Sequence, residues 1–373
     1  MTLAEHDGQG ATDLEAAQQR GDALAERLLG SLIAGMELLT VHLGDRLGLY
    51  AALHSHGPAT SAELAQRAGI TERYAREWLE QQGAAGLIDV AEDTGEATTR
   101  RFILPAAHVG VLLDTDDPTY LVGAAHQLAG AALPLPAVAE AYRSGEGVEY
   151  AAYGQEMRHG IAALNRPMFA ADLAGWLATM PDVAARLRSG GRVLDAGCGE
   201  GWSAITLARA FPRAHVHGVD MDEASITEAR RNAASAGVAD RVSFEVANAA
   251  TISASDGTGF DLACIFEALH DMGEPIEALR QIRRALSPGA PVLVGDERTA
   301  EEFTAPAEEI ERLQYAFSVL HCLPATIAES TAVANGTVLR APTVRRWGEQ
   351  AGFSSVEILP IENDFWRFYR LNS

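Results

Sequence analysis

From Asp22 to Tyr50, leucines and their equivalents return every three or four positions: Leu24, Leu28, Leu32, Met36, Leu39, Leu43 and Leu47. That spacing predicts one long amphipathic helix. Leu29, Ile33 and Leu38 widen its apolar face, and so broad a face on a terminal helix needs a cover, either the next domain or a second subunit. The stretch before it, Met1 to about Gly21, is rich in Gly, Ala, Gln and Asp and reads as a mobile tail. His54–Pro58 breaks the rhythm. Ala59–Gly69 then reads as a short capped helix closed by glycine, and Glu72–Gln82 as a second helix. Ala84–Val90 and Arg101–Leu104 read as two strands around a polar loop. Helix, turn, helix and hairpin in that order describe a winged helix-turn-helix.

Pro105–Pro136 shows no clear period, and Val138–Trp176 reads as mainly helical with breaks near Gly145–Gly147 and Gly154. From Gly191 onward the period switches between strand and helix. Strands are expected at Arg192–Leu194, His215–Val219, Val242–Val246, Phe260–Phe266 and Val292–Val294, with helices clearest at Ala224–Ala236 and Ile276–Leu286. This alternation predicts a parallel sheet with helices on both faces. Val356–Leu359 and Phe365–Arg370 would complete it. The expected fold class is therefore α/β: a Rossmann-like domain of seven strands preceded by a mainly α winged-helix domain. The expected division is a tail over 1–21, a winged helix over 22–110, a helical connector over 111–175 and a ligand-binding α/β domain over 176–373.

Charge and cysteine usage narrow the partners. A formal net charge of -22 opposes a nucleic-acid surface, which must neutralise phosphates with Lys and Arg. Cys198, Cys264 and Cys322 are widely spaced and form no CxxC or Cys/His zinc pattern, which suits reduced thiols. The polar start of the chain lacks a signal-peptide pattern, and no apolar run is long enough to cross a bilayer, so a cytoplasmic location and no membrane contact are expected.

The strand Arg192–Leu194 runs straight into Asp195-Ala-Gly-Cys-Gly-Glu-Gly201, and a helix is expected from Trp202. Glycines there let backbone approach a ligand at the carboxyl end of the first strand, the binding crevice of an open α/β sheet. A dinucleotide fingerprint starting at Gly197 requires glycine at 202, where Trp202 stands, and the third glycine arrives one place early at Gly201. A Walker lysine is absent. Asp195 would crowd a pyrophosphate but suits an aminoacyl ammonium. Asp220 ends the second strand with an acid suited to ribose hydroxyls, and Asn248 after the third strand suits an adenine edge. The fourth strand ends at Phe266-Glu267, facing the same crevice. Together these select a zwitterionic nucleoside.

At these residues the chain resembles class I S-adenosylmethionine-dependent methyltransferases, from roughly Tyr150 to the C-terminus. The resemblance implies S-adenosyl-L-methionine as cofactor. It places Gly197, Gly199 and Gly201 along the methionine part, Asp220 at the ribose and Asn248 at the adenine, with Asp195, Met221 and Ala249 also in the cofactor-binding set. Cys198, inside the loop, reads as a small filler, and Phe266 joins the cofactor-binding set. In small-molecule O-methyltransferases of this kind a region just before the cofactor domain closes over the cofactor. Tyr153 or Phe169 would stack on it there, or would pack the core instead.

Glu267-Ala-Leu-His270-Asp271 resembles the segment of those O-methyltransferases in which a histidine is the general base, which implies proton removal from a hydroxyl acceptor by His270. The same histidine would alternatively orient substrate or cap the next helix. Met272 and Glu267 depart from the pattern, which has an aromatic residue and a small or apolar one there. Asp296 and Glu297 are candidates to orient His270, or are solvated. On an α-helix Tyr315, Val319 and Cys322 share one face while Phe317 and His321 share another, in a stretch placed to cover an acceptor pocket.

The N-terminal half resembles the winged-helix domain that serves dimerisation ahead of many O-methyltransferases, so a homodimer is implied. It also resembles an actinobacterial group of winged-helix methyltransferase-like proteins often labelled regulators, to which Leu320–Pro324 and Leu359–Glu362 are closest. In the would-be recognition helix Glu72, Glu77 and Glu80 outnumber Arg73 and Arg76, and the wing loop Ala91–Glu96 is acidic, so phosphate would be repelled. The reading is a methyltransferase acting on a small-molecule acceptor by O-methylation. The alternatives are C- or N-methylation, or a regulator that binds the cofactor without turnover.

Overall fold

The computed structural model describes residues 3–252 and 259–373, with side chains from 14 onward. The chain divides into two compact units, one ending at Leu113 and the other running Asp114–Ser373. In the first, α1 (Leu3–Arg46) absorbs the segment expected as a tail. It is followed by α2 (Leu49–His56), α3 (Ser61–Ala68), α4 (Glu72–Ala84), the antiparallel pair β1 (Asp89–Glu92) and β2 (Arg101–Ile103), and the short α5 (Val109–Leu112). The Thr60–Glu63 capping box starts α3 and Gly69, left-handed, ends it, as the sequence indicates.

Packing within this unit follows the apolar pattern of α4. Leu79 and Trp78 are buried, and the Trp78 indole donates to the Thr40 carbonyl at 3.1 Å. The cations of the wing and recognition helix are tied to acids. Arg73 pairs with Glu77, Arg100 with Glu80 at 3.1 Å and Asp93 at 3.2 Å, and Arg101 with Glu63 at 2.9 Å. By contrast Leu28, Leu32 and Met36 on α1 are exposed by 59%, 60% and 56%, so the broad face of that helix stays open in the single chain.

The second unit contains the connector, which packs with the α/β domain rather than standing apart. Its helices are α6 (Val122–Ala132), α7 (Leu135–Ser144), α8 (Gly154–Ala178) and α9 (Pro181–Arg188). The rest alternates: β3 (Arg192–Ala196), α10 (Trp202–Ala210), β4 (His215–Asp220), α11 (Glu223–Ser235), β5 (Val242–Val246), β6 (Leu262–Phe266), α12 (Pro275–Ala285) and β7 (Val292–Glu297). After α13 (Glu309–Phe317), a π-helical turn at Ser318–Cys322, α14 (Leu323–Glu329) and α15 (Ala341–Ala351) come β8 (Ser355–Ile358) and β9 (Trp366–Asn372).

The seven strands lie in the order β5-β4-β3-β6-β7-β9-β8, parallel except for β9, which is antiparallel to both neighbours. The near-continuous apolar runs of β6 and β7 follow from their position: helices cover both faces, and every residue of either strand is buried. Strand order reverses between β3 and β6, so their carboxyl ends diverge and leave a crevice. Phe169 and Trp176 of α8 pack on Phe266, Trp366 and Phe368 beneath that crevice. Among the described residues no single helix is long and apolar enough to cross a membrane.

Candidate functional site

The glycine loop leaves β3 and is pinned at once to the end of β4. Gly197 and Cys198 both donate backbone N–H groups to the Val219 carbonyl, at 2.8 and 3.1 Å. Gly199 donates to Asp220 Oδ2 at 2.9 Å, while Asp220 Oδ1 accepts from the Asp222 N–H at 2.9 Å. Gly197 has φ +75°, and a β-carbon there would lie 2.5 Å from that of Ala268, so glycine is required on two counts. Gly201 has a different task. It caps α10 in a left-handed conformation against the Phe244 ring, 2.6 Å from where a β-carbon would stand, and it does not line the cavity.

A cavity of about 400 Å³ opens over this loop. Its near end is lined by Gly197, Cys198, Gly199, Asp220 and Met221, and its flank by Asn248 and Ala249. Burial pushes the Asp220 carboxyl above its ordinary range, with the amides of Asp222 and Gly199 working the other way. Asn248 turns Oδ1 onto the Ala250 N–H at 2.7 Å. Arg158 holds Asp222 through two contacts of 2.6 and 2.8 Å, which fixes the turn after β4 to α8.

Two expected ligand-facing residues sit elsewhere. Asp195 is buried beneath the loop, accepts from Ser203 Oγ at 2.5 Å and does not line the cavity; burial pushes it up to about 7. Tyr153 faces the core: its hydroxyl donates to the Leu320 carbonyl at 2.9 Å and its ring meets His321 edge-on. The tyrosine at the cavity is Tyr150, with the Arg158 guanidinium 5.6 Å from its ring centroid.

The far end of the cavity is formed by Asn165 and Phe169 from α8, with Phe266, Glu267, Asp271 and Met272 after β6. His270 stands behind this wall. Its Nδ1 lies 2.8 Å from Asp296 Oδ1 and its Nε2 3.3 Å from Asp271 Oδ1, and the ring is 2% exposed. Burial disfavours the charged imidazolium, but Asp271 and Asp296 outweigh it and hold the group well above the usual histidine range. Asp296 thus orients His270, whereas Glu297 accepts from Gln314 Nε2 at 2.7 Å.

The π-turn changes which residues of 318–322 face inward. On an α-helical reading His321 and Cys322 point different ways, yet the wider turn buries both, while Val319 is exposed. Although no zinc-like spacing exists in the sequence, donor atoms of His270, Asp271 and Cys322 gather within 4.8 Å of one another. Burial lifts the Cys322 thiol to about 12. Glu267 lines the crevice, as its place at the end of the fourth strand predicts, but its partner Asn165 is not legible in the pattern. Asn165 bonds Glu267 across 102 positions of sequence, and Glu267 adopts φ +49°, a conformation no local signal announces.

Residues 187–341 match the family model described as a methyltransferase domain, and residues 34–113 match an Rv2258c-like winged HTH domain. The chain is similar to the 27-O-demethylrifamycin SV methyltransferase of Amycolatopsis mediterranei, 39% identical over 110 residues, which cover 30% of this chain and 40% of that protein. It therefore spans well under half the length of that curated relative. Among solved structures it is similar to human N-acetylserotonin methyltransferase in complex with SAM (TM-score 0.67, 15% identity, 94% of this chain and 97% of that one). It is also similar to the mitomycin 7-O-methyltransferase MmcR (TM-score 0.62, 21% identity, 95% and 99%). At these identities the structural likeness shows a shared fold.

Proposed function

We propose that this chain, which carries a methyltransferase domain behind a winged-helix domain, is an S-adenosylmethionine-dependent methyltransferase that acts on a hydroxyl of a small molecule. The observation that carries this reading is the single cavity that joins the glycine loop and Asp220 to the wall formed by Asn165, Phe169, Glu267 and Asp271. One end suits a charged nucleoside and the other a compact acceptor. The lining fits the cofactor: bare glycine backbone at the loop, a carboxylate at the end of β4 for vicinal hydroxyls, and Asn248 beside it. When bound, the cofactor supplies an electrophilic sulfonium methyl.

The chain's own contribution is alignment. Gly197 and Gly199 let the donor approach the backbone, Asp220 fixes its ribose, and the aromatic wall of Phe169 and Phe266 excludes water from the line between donor and acceptor. His270 belongs to the acceptor end, as the motif implies. Its ring reaches a proton only through Nε2, in front of which Asp271 stands at 3.3 Å. The names of two relatives above, the 27-O-demethylrifamycin SV and mitomycin 7-O-methyltransferases, specify methylation at oxygen, which supports a hydroxyl acceptor here.

The same reading assigns the winged helix to self-association. The exposed stripe of α1 suits a second copy, and the paired cations of α4 and the wing oppose a phosphate backbone. The test of the function is calorimetry with S-adenosylmethionine and S-adenosylhomocysteine, followed by transfer of a labelled methyl group to a panel of phenols, alcohols and duplex DNA. Asp220→Ala is expected to weaken cofactor binding about 100-fold, two hydrogen bonds to a charged group being worth roughly 3 kcal/mol or more together. Unchanged affinity would overturn the ribose assignment, and labelled DNA would overturn the small-molecule acceptor.

A further inference from the structure

The wall between the cavity and His270 contains a carboxylate that the family-like motif leaves without a task. Glu267 follows β6 directly, and its backbone stands at φ +49°, in the left-handed region that side-chain-bearing residues seldom occupy. Its N–H is spent on the Gly295 carbonyl at 2.8 Å, which ties the bend to β7. The result is a side chain that lines the cavity beside Phe266 and Ala268, where an unstrained continuation of β6 would carry it onward with the strand. Asn165 of α8 donates to Glu267 Oε2 and so holds one carboxylate oxygen of a residue that lines the cavity. His270 has no such access, since Asp296 holds Nδ1, Asp271 stands 3.3 Å in front of Nε2, and the ring does not line the cavity.

We infer that Glu267 is the catalytic residue that receives the acceptor's proton, with His270, Asp296 and Asn165 as the positioning residues behind it. This rests on the methyltransferase reading given above. In the step, the acceptor oxygen forms its bond to the methyl carbon as the carbon–sulfur bond breaks and its electron pair returns to sulfur, neutralising the sulfonium. The acceptor O–H bond gives its proton to the free oxygen of Glu267, so one carboxylate becomes one carboxylic acid and no other reactant is needed.

The surroundings suit that role. Glu267 is faced by Asn165 from α8, by His270 and Asp271 from its own turn, and by Asp296 and Glu297 from β7. Burial raises its carboxyl above the usual range; Asn165 and His270 pull it down, while Asp296 and Asp271 push it up. A carboxylate whose affinity for a proton is raised is a better base than an exposed glutamate. The His270 imidazolium, fixed by Asp296 and flanked by Asp271, keeps positive charge next to Glu267 and so favours its ionised form before transfer.

The test compares wild type, Glu267→Gln, Glu267→Asp and His270→Asn on catechol and on 4-nitrocatechol, which is already ionised in mild base. S-Adenosylhomocysteine binding and thermal unfolding serve as controls for the fold. Glu267→Gln is expected to bind S-adenosylhomocysteine within about threefold of wild type but to methylate catechol at least 100-fold more slowly, the usual worth of a general base. It should recover most of that loss on 4-nitrocatechol, and Glu267→Asp should fall between. In the S-adenosylhomocysteine complex, wild type should turn bound 4-nitrocatechol to the yellow phenolate at a pH where the free phenol is colourless, and Glu267→Gln should not.

His270→Asn should shift the acid limb of the pH profile without removing transfer. Equal catechol rates in wild type and Glu267→Gln would overturn the assignment while leaving the methyltransferase reading in place. A wild type that binds the cofactor but neither methylates nor ionises any of these phenols would overturn the hydroxyl-acceptor reading and the base together.

Discussion

His270 and Asp296 meet through Nδ1 and Oδ1 at 2.8 Å, with the imidazole 2% and the carboxylate 1% exposed. Asp296 Oδ2 also lies 3.3 Å from the His270 backbone N–H, and its Oδ1 accepts from the Glu297 N–H at 2.8 Å. The pair therefore locks the turn after β6 to the end of β7, and with it the wall of the cavity. Removing one partner leaves the other charged and buried, so Asp296→Ala is expected to cost about 3–5 kcal/mol in stability. Denaturant unfolding checks this, and a loss below about 1 kcal/mol would show that the pair carries no charge.

Asp195 offers a pH signature. In the folded chain it keeps its proton up to about 7, whereas an unfolded aspartate releases it near 4. Between those values the folded form holds the extra proton, so this group's stabilising contribution is complete below about pH 4 and declines as pH rises to about 7. Asp195→Asn removes the decline. Its stability relative to wild type should therefore rise from pH 4 to pH 8 by up to about 4 kcal/mol. Thermal unfolding across that range measures the difference; a difference that does not change with pH would place the charge of Asp195 outside the buried site.

Gly201 tests whether the third loop glycine serves packing or binding. With φ +82° and the Phe244 ring 2.6 Å from the missing β-carbon, Gly201→Ala should destabilise the chain by about 2–4 kcal/mol, from backbone strain and overpacking together. Phe244→Leu in the same chain should recover part of the loss, since it clears the clash but not the strain. If urea unfolding is unchanged while cofactor affinity collapses, the glycine faces ligand instead.

The open stripe on α1 gives a test of assembly. Leu32→Glu with Met36→Glu places two charges where the proposal seats a second copy, so the wild type is expected to sediment as a dimer and the full-length variant as a monomer. A dimer in the variant would move the interface elsewhere.

Most of the architecture was legible from the chain alone. The helix-turn-helix, the glycine loop and all seven strands of the large sheet fall close to where periodicity and turn residues put them, because α/β alternation and a capping box are local properties. The first wing strand lies at Asp89–Glu92 rather than Ala84–Val90, since α4 runs on to Ala84. Gly197, Cys198, Gly199, Asp220, Met221, Asn248, Ala249 and Phe266 all line the cavity. Asp195, Gly201 and Tyr153 do not, and each misplacement has a spatial cause. Ser203 and burial draw Asp195 under the loop, Phe244 claims Gly201, and His321 with the Leu320 carbonyl claims Tyr153.

By itself, then, the order of residues determined which elements form and which strand ends carry acids and glycines, since these depend on neighbours a few positions apart. It also placed His270 after the right strand. Which side of the wall each carboxylate faces was decided only in three dimensions. Asn165, Glu267, Asp296 and Gln314 lie far apart along the chain, and their contacts exist only once α8, β6, β7 and α13 have packed together. The left-handed bend at Glu267 is of the same kind: a local strain that no local preference would choose, held in place by the bonds around it.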